Sequence, residues 1–186
     1  MSFVQISVGF LVLRADEMFR KYNASWLPDF GQYSGVVLTL LSYLLFNIIY
    51  AISSTKLGRL SDKFGRLKVL QFGTTLMFII MVLFWITDII MISEIVIVGF
   101  IVLGLYMAST EGVTKALIGD LTDISIRGKA YGLFNLTIGF TALFSALIFG
   151  FIWNEFGGSF AFSLFTFLSL GPIIGISILP KKVGIR

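Results

Sequence analysis

The chain has 186 residues, of which 57% are hydrophobic and 13% are charged, and its mean hydropathy is +0.97. Soluble domains are about one quarter charged, so this composition excludes a soluble globular enzyme and a disordered segment. Histidine and cysteine are both absent, which removes the commonest general base, the thiolate nucleophile and the commonest metal ligands, and we predict no enzyme activity, metal site or cofactor.

Long uncharged stretches recur along the whole chain and predict membrane-spanning helices. A helix needs about 20 apolar residues to cross the hydrocarbon core of a bilayer. Continuous runs of this length favour helices over strands, because a helix satisfies every backbone group within its own segment. We therefore predict one all-α membrane domain, residues 1–186, with a partial first helix and five full crossings. The predicted helices cover residues 1–13, 31–54, 69–87, 91–114, 130–153 and 158–179.

The first run, residues 1–13, reaches only about 20 Å as a helix, which is too short to cross. No basic residue precedes it and no small-residue cleavage site follows it, so it does not resemble a signal peptide. We interpret it as the trailing part of a spanning helix whose beginning is missing. A short helix lying against the bundle is the alternative. Residues 14–29 carry both signs of charge and are expected to form a water-exposed hairpin.

The run 31–54 contains a polar amide side chain within its apolar sequence. Asn47 lies four residues after Tyr43 and three before Tyr50, so the three side chains share one helix face. An amide inside the membrane should face protein or water rather than lipid. We therefore consider Tyr43, Asn47 and Tyr50 candidates for a substrate path, with hydrogen bonding between helices as an equally good explanation.

The basic segment 56–68 separates this run from the next one. Its central sequence is Gly-Arg-Leu-Ser-Asp-Lys-Phe-Gly-Arg-Leu-Lys, and it predicts a tight hairpin that turns at Gly58 and Gly65. Asp62 is a single acid among five cations, which include Lys63 and Arg66. A carboxylate in such a loop can cap a neighbouring helix N-terminus. The alternative is a solvated basic loop that only fixes the orientation of the chain.

Glu111 closes the uncharged part of the predicted helix 91–114, and we expect it near the membrane interface. An acid within a spanning segment is a functional candidate by default. Glu111 is also four residues before Lys115, the spacing of a stabilising ion pair on a helix. The sequence leaves open a structural role, a role in holding one conformation, and a role in proton coupling.

The last two runs add one weaker candidate and one structural expectation. Asn135 lies within the run 130–153 and is a further candidate for the substrate path. Pro172 lies inside the run 158–179 and should kink that helix, because proline lacks the N–H that bonds one turn back.

The basic residues fix an orientation. If the segment 56–68 is cytoplasmic, eleven of the 14 Lys and Arg residues fall on the cytoplasmic side. Basic residues are enriched in cytoplasmic loops, so we predict a cytoplasmic C-terminus in an integral protein of the plasma membrane. The net charge of +4 is thereby explained by topology, and we predict no nucleic-acid partner.

The segment 58–68 resembles the signature loop of the major facilitator superfamily, Gly-xxx-Asp-Lys/Arg-x-Gly-Arg-x-Lys, between the second and third helices of a six-helix half. A second stretch, residues 111–121 followed by 127–132, is similar to the connection between the fourth and fifth helices of such a half. With the helix count, the resemblance covers essentially the whole chain. Leu67 stands where many members carry a second consecutive basic residue. The contact that such a basic residue makes is therefore not predicted for this chain.

The resemblance implies one half of a two-half transporter, and the stretch that begins at Glu111 is more similar to the C-terminal half. It implies transport of a small solute by alternating access, with the lipid bilayer and either another half-transporter chain or a copy of this chain as partners. In the family, the loop acid and arginine hold one closed state with an acid near the inner end of the fourth helix. Carried over to this sequence, these residues are Asp62, Arg66 and Glu111.

A second hypothesis remains open beside transport. The chain would then be a non-transporting membrane scaffold or an inactive truncated gene product. The two hypotheses differ in partnership, because a half-bundle needs a second half to enclose a pathway.

Overall fold

A computed structural model describes residues 7–22 and 31–178, and within them every regular element is helical. The basic tail, residues 181–186, lies outside the described residues. The helices are α1 Val8–Lys21, a short 3-10 turn Gly31–Tyr33, α2 Ser34–Phe64, α3 Arg66–Ile90, α4 Ile95–Leu121, α5 Arg127–Phe156, α6 Gly158–Leu168 and α7 Leu170–Ile178.

Five spans in the described part of the chain are long and apolar enough to cross a membrane. They are α2, α3, α4, α5 and the stretch Gly158–Ser177, which joins α6 to α7. The prediction of an all-α polytopic membrane bundle is confirmed. Loops between the spans are short, so neighbouring helices run in opposite directions.

The first helix differs from its prediction. Helix α1 continues through the charged residues to Lys21, so the expected hairpin does not begin at residue 14. The charges do not end the helix because they are partnered along it: Arg20 bonds Asp16 one turn earlier, at 2.8 Å, and Arg14 is buried. Of the predicted partial helix 1–13, residues 1–6 lie outside the described part of the chain.

The segment 56–68 is not a loop. Helix α2 runs through Lys56 to Phe64, ten residues beyond the predicted end of the run, and α3 begins at Arg66. The whole turn consists of Gly65, whose φ of +98° lies in the region that favours glycine. Lysine and arginine are good helix formers, so charge marks the end of the apolar stretch without ending the helix.

The last span is interrupted near its middle. Helix α6 ends at Leu168 and α7 begins at Leu170, with Ser169 between them. Pro172 lies four residues after Leu168 and has no N–H to donate to the Leu168 carbonyl. The interruption therefore lies where proline removes the helical hydrogen bond.

Aromatic rings fill the core where α1, α3, α5 and α6 meet. Phe149 is the centre of this packing, with ring centroids 4.8 Å from Phe10, 5.2 Å from Phe162 and 4.9 Å from Phe165. It is one of only two buried residues on α5, and the other is Ser145. Most of the surface of α5 is therefore exposed in the isolated chain.

Helix α4 packs closely against its neighbours at glycine positions. A Cβ at Gly104 would lie 2.9 Å from the side chain of Ile49 on α2, and a Cβ at Gly73 would lie 2.4 Å from Thr110. A Cβ at Gly99 would meet the ring of Phe84 at 2.6 Å. Small residues at these contacts let helix backbones approach in lipid.

A buried arginine joins three helices at one end of the bundle, which we call the Asp88 end. The Arg14 side chain is 1% exposed, and its Nη2 lies 2.5 Å from Asp88 Oδ2 and 2.9 Å from Ser159 Oγ. Its Nη1 bonds Glu17 at 2.8 Å. The Ser159 hydroxyl also donates to Asp88. Arg14 therefore links α1 to the end of α3 and the start of α6.

Two more groups from the end of α1 complete this cluster. Lys21 Nζ lies 3.1 Å from Asp88 Oδ1, and the Tyr22 hydroxyl donates to the same oxygen at 3.0 Å. Hydrogen bonding to Tyr22 and to Asp88 raises the pKa of Lys21, so the ammonium stays charged at neutral pH. Gly158 leaves room for the cluster, since a Cβ there would lie 3.0 Å from Arg14 Nη1.

Replacing Arg14 by alanine should lower the free energy of unfolding by about 3 kcal/mol, because a buried charge pair is broken and Glu17, Asp88 and Ser159 each lose a hydrogen bond. The change is measured as a lower Tm of the purified chain in detergent. Arg20→Ala is the matched control on the same helix. Arg20 is 55% exposed and, among the described residues, pairs with Asp16 alone, so its loss should cost less than about 1 kcal/mol. Equal losses in the two variants would contradict the assignment of Arg14.

Candidate functional site

The turn between α2 and α3 places one arginine between acids of different helices. Arg66 Nη1 lies 2.8 Å from Asp62 Oδ1 on α2, and its Nε donates to Asp120 Oδ2 on α4 at 2.5 Å. Nη1 also donates to Ser61 Oγ at 3.1 Å. The guanidinium therefore ties the end of α2 and the start of α3 to the end of α4. We call this end of the bundle the Arg66 end.

Arg66 bonds Asp120 and not Glu111, the acid that the sequence analysis named for this network. Glu111 lies nine residues before Asp120 on α4, which is about 13 Å along the helix axis. The difference has a physical origin: α4 continues to Leu121, seven residues beyond its predicted end. The acid near the inner end of the fourth helix is therefore further along the chain than the apolar run suggested.

Glu111 instead forms a second cluster that joins α2 to α4. The Tyr50 hydroxyl donates to Glu111 Oε2 at 2.8 Å, and Lys115 Nζ lies 3.0 Å from Oε1. The cluster is only partly covered, since the Glu111 side chain is 40% exposed and that of Lys115 is 53% exposed. A carboxylate, an ammonium and a phenol thus share one open face of the bundle.

The helix lengths give the position of Glu111 along the bundle. Arg66 and Asp88, at the two ends of α3, are 22 residues apart, which corresponds to about 33 Å. Glu111 is about 13 Å along α4 from Asp120 at the Arg66 end. A charge on a spanning helix is costly against lipid, so we expect the exposed side of the cluster to face protein or water.

The other candidates of the substrate path are not joined to Glu111 by hydrogen bonds. The Asn47 amide donates to the backbone oxygen of Tyr43 at 2.8 Å on its own helix, and it remains exposed. The Tyr43 ring is also exposed and contacts Phe46. Asn135 is exposed on α5, and within the described residues its side chain makes no hydrogen bond.

The other residues that the sequence analysis named in the signature segment are Gly58, Gly65 and Lys63. Gly58 lies inside α2, where nothing would meet a Cβ, and its carbonyl accepts a bond from Ser61 Oγ at 2.7 Å. Gly65 forms the turn. Lys63 is exposed and lies 5.5 Å from the centre of the Phe64 ring.

Residues that the sequence analysis did not single out fix the connection from α4 to α5. Arg127 Nη2 donates to the carbonyl oxygens of Gly119, at 2.9 Å, and Thr122, at 3.4 Å, where it caps the end of α4. The Tyr131 hydroxyl donates to the Lys115 carbonyl at 2.9 Å. Arg127 lies in the second stretch that resembles the family. Its position directly before an apolar run is the sequence feature that could have identified it as a residue of this connection.

Five long apolar spans, with charged clusters at both ends of the bundle and a third cluster between them, define an integral membrane protein. The chain belongs to the major facilitator superfamily, whose family model matches residues 10–183. The charged turn from α2 to α3 and the α4–α5 connection both lie within the matched region.

Two curated relatives agree with this membership. An uncharacterised MFS-type transporter of Methanocaldococcus jannaschii, MJ1317, is 32% identical over 153 residues, which are 82% of this chain and 38% of that protein. The chicken facilitated glucose transporter member 1 of solute carrier family 2 is 29% identical over 118 residues, which are 61% of this chain and 24% of that protein. The chain therefore spans well under half the length of either relative.

The pairing of Arg66 with Asp120 can be tested by a double-mutant cycle. The coupling of Arg66→Gln with Asp120→Asn should be about 0.5 to 1 kcal/mol, as for partly exposed ion pairs. The cycle of Arg66→Gln with Glu111→Gln should be additive within about 0.3 kcal/mol, because the two side chains share no partner. Both are measured from unfolding midpoints in detergent. A larger coupling to Glu111 than to Asp120 would contradict the geometry.

Proposed function

We propose that the chain forms one half of a secondary transporter, which moves a small solute across the membrane by alternating access. A second half completes the pathway, either as another chain or as a copy of this one. Transporters built from repeats bind their substrate near the bilayer midplane between the two halves.

The observation that carries the proposal is the exposed cluster of Glu111, Lys115 and Tyr50. An exposed carboxylate and ammonium on a spanning helix are unfavourable against lipid, and they become favourable when their face lines an aqueous cavity. Asn47 and Tyr43 lie on the same helix as Tyr50, so the polar face continues along α2. We assign substrate contact or ion coupling to this face and propose Glu111 as its charged centre.

The Arg66 network has the properties of a gate component. It holds three helices of this half together at one end through groups that remain partly exposed, so the bonds can break when these helices move relative to one another. We propose that Asp62, Arg66 and Asp120 stabilise the state that is closed at the Arg66 end. The distribution of basic residues supports a cytoplasmic location for this end, in the plasma membrane.

A face that lines an aqueous cavity should react with water-soluble thiol reagents. The chain contains no cysteine, so a single Asn47→Cys can be labelled in proteoliposomes. It should react about tenfold faster than Ile79→Cys, because the reagent attacks the thiolate and lipid surroundings suppress that form. Ile79 is the matched control, since it is exposed and apolar at mid-length on α3.

This comparison also separates transport from the scaffold hypothesis. Equal and slow labelling at both positions would contradict the proposed aqueous cavity and the transport role that depends on it. Fast labelling at Asn47→Cys alone would support the proposed pathway.

Loss of the gate charges should shift the balance between the two states. Asp120→Asn removes an interaction of about 1 kcal/mol, so labelling of Asn47→Cys from the Arg66 side should rise about fivefold. The measurement compares an impermeant thiol reagent added on either side of proteoliposomes. Asp123→Asn is the control, because Asp123 is an exposed acid near the same end. An unchanged ratio in Asp120→Asn, or an equal change in both variants, would argue against the gate.

A further inference from the structure

Three basic residues form a line on the final turns of α2. Lys56, Arg59 and Lys63 are spaced three and four residues apart, so they lie within about 60° of the helix circumference. All three are exposed, whereas Ser61, on the opposite side of the helix, is buried at 1%. The line therefore points away from the bundle. We call it the basic stripe.

The basic stripe continues an apolar line on the same helix. Ile48 and Ile52 lie on the same side of α2 toward the membrane centre, and both are exposed. Beside the basic stripe, Leu60 and Phe64 are also exposed. One outward face thus changes from apolar to basic where the helix leaves the hydrocarbon, which is the order of groups that a phospholipid presents to it.

The charges of the basic stripe are uncompensated within the part of the chain that the structure describes. Asp62 and Asp120, two acids of the Arg66 end, are both bound to Arg66. No acid side chain of the described residues pairs with Lys56, Arg59 or Lys63, and the Lys63 ammonium lies over the ring of Phe64. Three cations over about 10 Å of helix axis create a local attraction for anions.

We propose that the basic stripe is a binding site for the headgroups of anionic phospholipids in the leaflet at the Arg66 end. Each lysine or arginine near the membrane surface raises the local preference for anionic over neutral lipid about fivefold. The long side chains reach the phosphates while their stems stay on the apolar surface formed with Leu60 and Phe64. The site is independent of the proposed transport pathway, because it lies on the outer side of α2 and shares no residue with the Glu111 cluster.

A local fluorescence measurement tests the site directly. A single Leu60→Cys, in a chain that contains no cysteine, carries a fluorophore in nanodiscs of mixed phosphatidylglycerol and phosphatidylcholine. The phosphatidylglycerol is brominated in one sample and the phosphatidylcholine in a second. The ratio of fluorescence quenching in the two samples reports the local enrichment of phosphatidylglycerol around the fluorophore. Leu133→Cys on α5 is the reference position near the same end of the bundle, because Leu133 is 68% exposed. The ratio at Leu60 should exceed that at Leu133 several-fold.

Charge-matched variants separate a site from general electrostatics. In the Leu60-labelled chain, Lys56→Gln with Lys63→Gln should reduce the ratio to the Leu133 value. Lys68→Gln with Lys129→Gln removes the same charge from the same end and should leave the ratio high. Equal ratios at the two labelled positions, or equal losses in the two double variants, would overturn the proposal. Disulfide formation between unlabelled Leu60→Cys chains would also overturn it, because a second copy would then occupy the basic stripe.

Discussion

The cost of placing charge in a low-dielectric medium organises this bundle. Few charged residues are present, and several of them pair with one another between helices. Arg14 is the clearest case, since its guanidinium is buried and bonded to Glu17, Asp88 and Ser159. Because breaking such a pair leaves an uncompensated charge, the cluster defines how α1, α3 and α6 meet. The aromatic core around Phe149 fills the space that this arrangement leaves.

The number and order of the spanning helices could be predicted from the sequence, because uncharged runs of sufficient length have one stable form in lipid. The ends of the helices could not be predicted in the same way. Charge indicates where a segment leaves the hydrocarbon, but lysine, arginine and glutamate continue a helix readily. Helix α2 therefore passes its charges and ends only at Gly65, and α1 includes residues that were expected to form a hairpin.

The difference between where charge begins and where a helix ends also explains which residues of the candidate site could be predicted. The signature segment was recognisable, and Asp62 and Arg66 are indeed bonded to each other. Asp120 was not named because the predicted fourth helix stopped at residue 114, whereas α4 continues to Leu121 and brings Asp120 to Arg66. Long-range pairs such as Arg14 with Asp88 have no local sequence signature, since 74 residues separate them. The family membership shown by the match over residues 10–183 is consistent with both clusters but does not specify the solute.

The single buried contact of α5 has a mechanical consequence. Only Ser145 and Phe149 of this helix are buried, and the ring of Phe149 lies in a pocket of other aromatic side chains. A tilt of α5 about that ring would leave the packing among α2, α3 and α4 unchanged. At its other end Arg127 and Tyr131 bond carbonyl oxygens of α4, and most of the apolar surface of α5 is left for lipid or another polypeptide to cover.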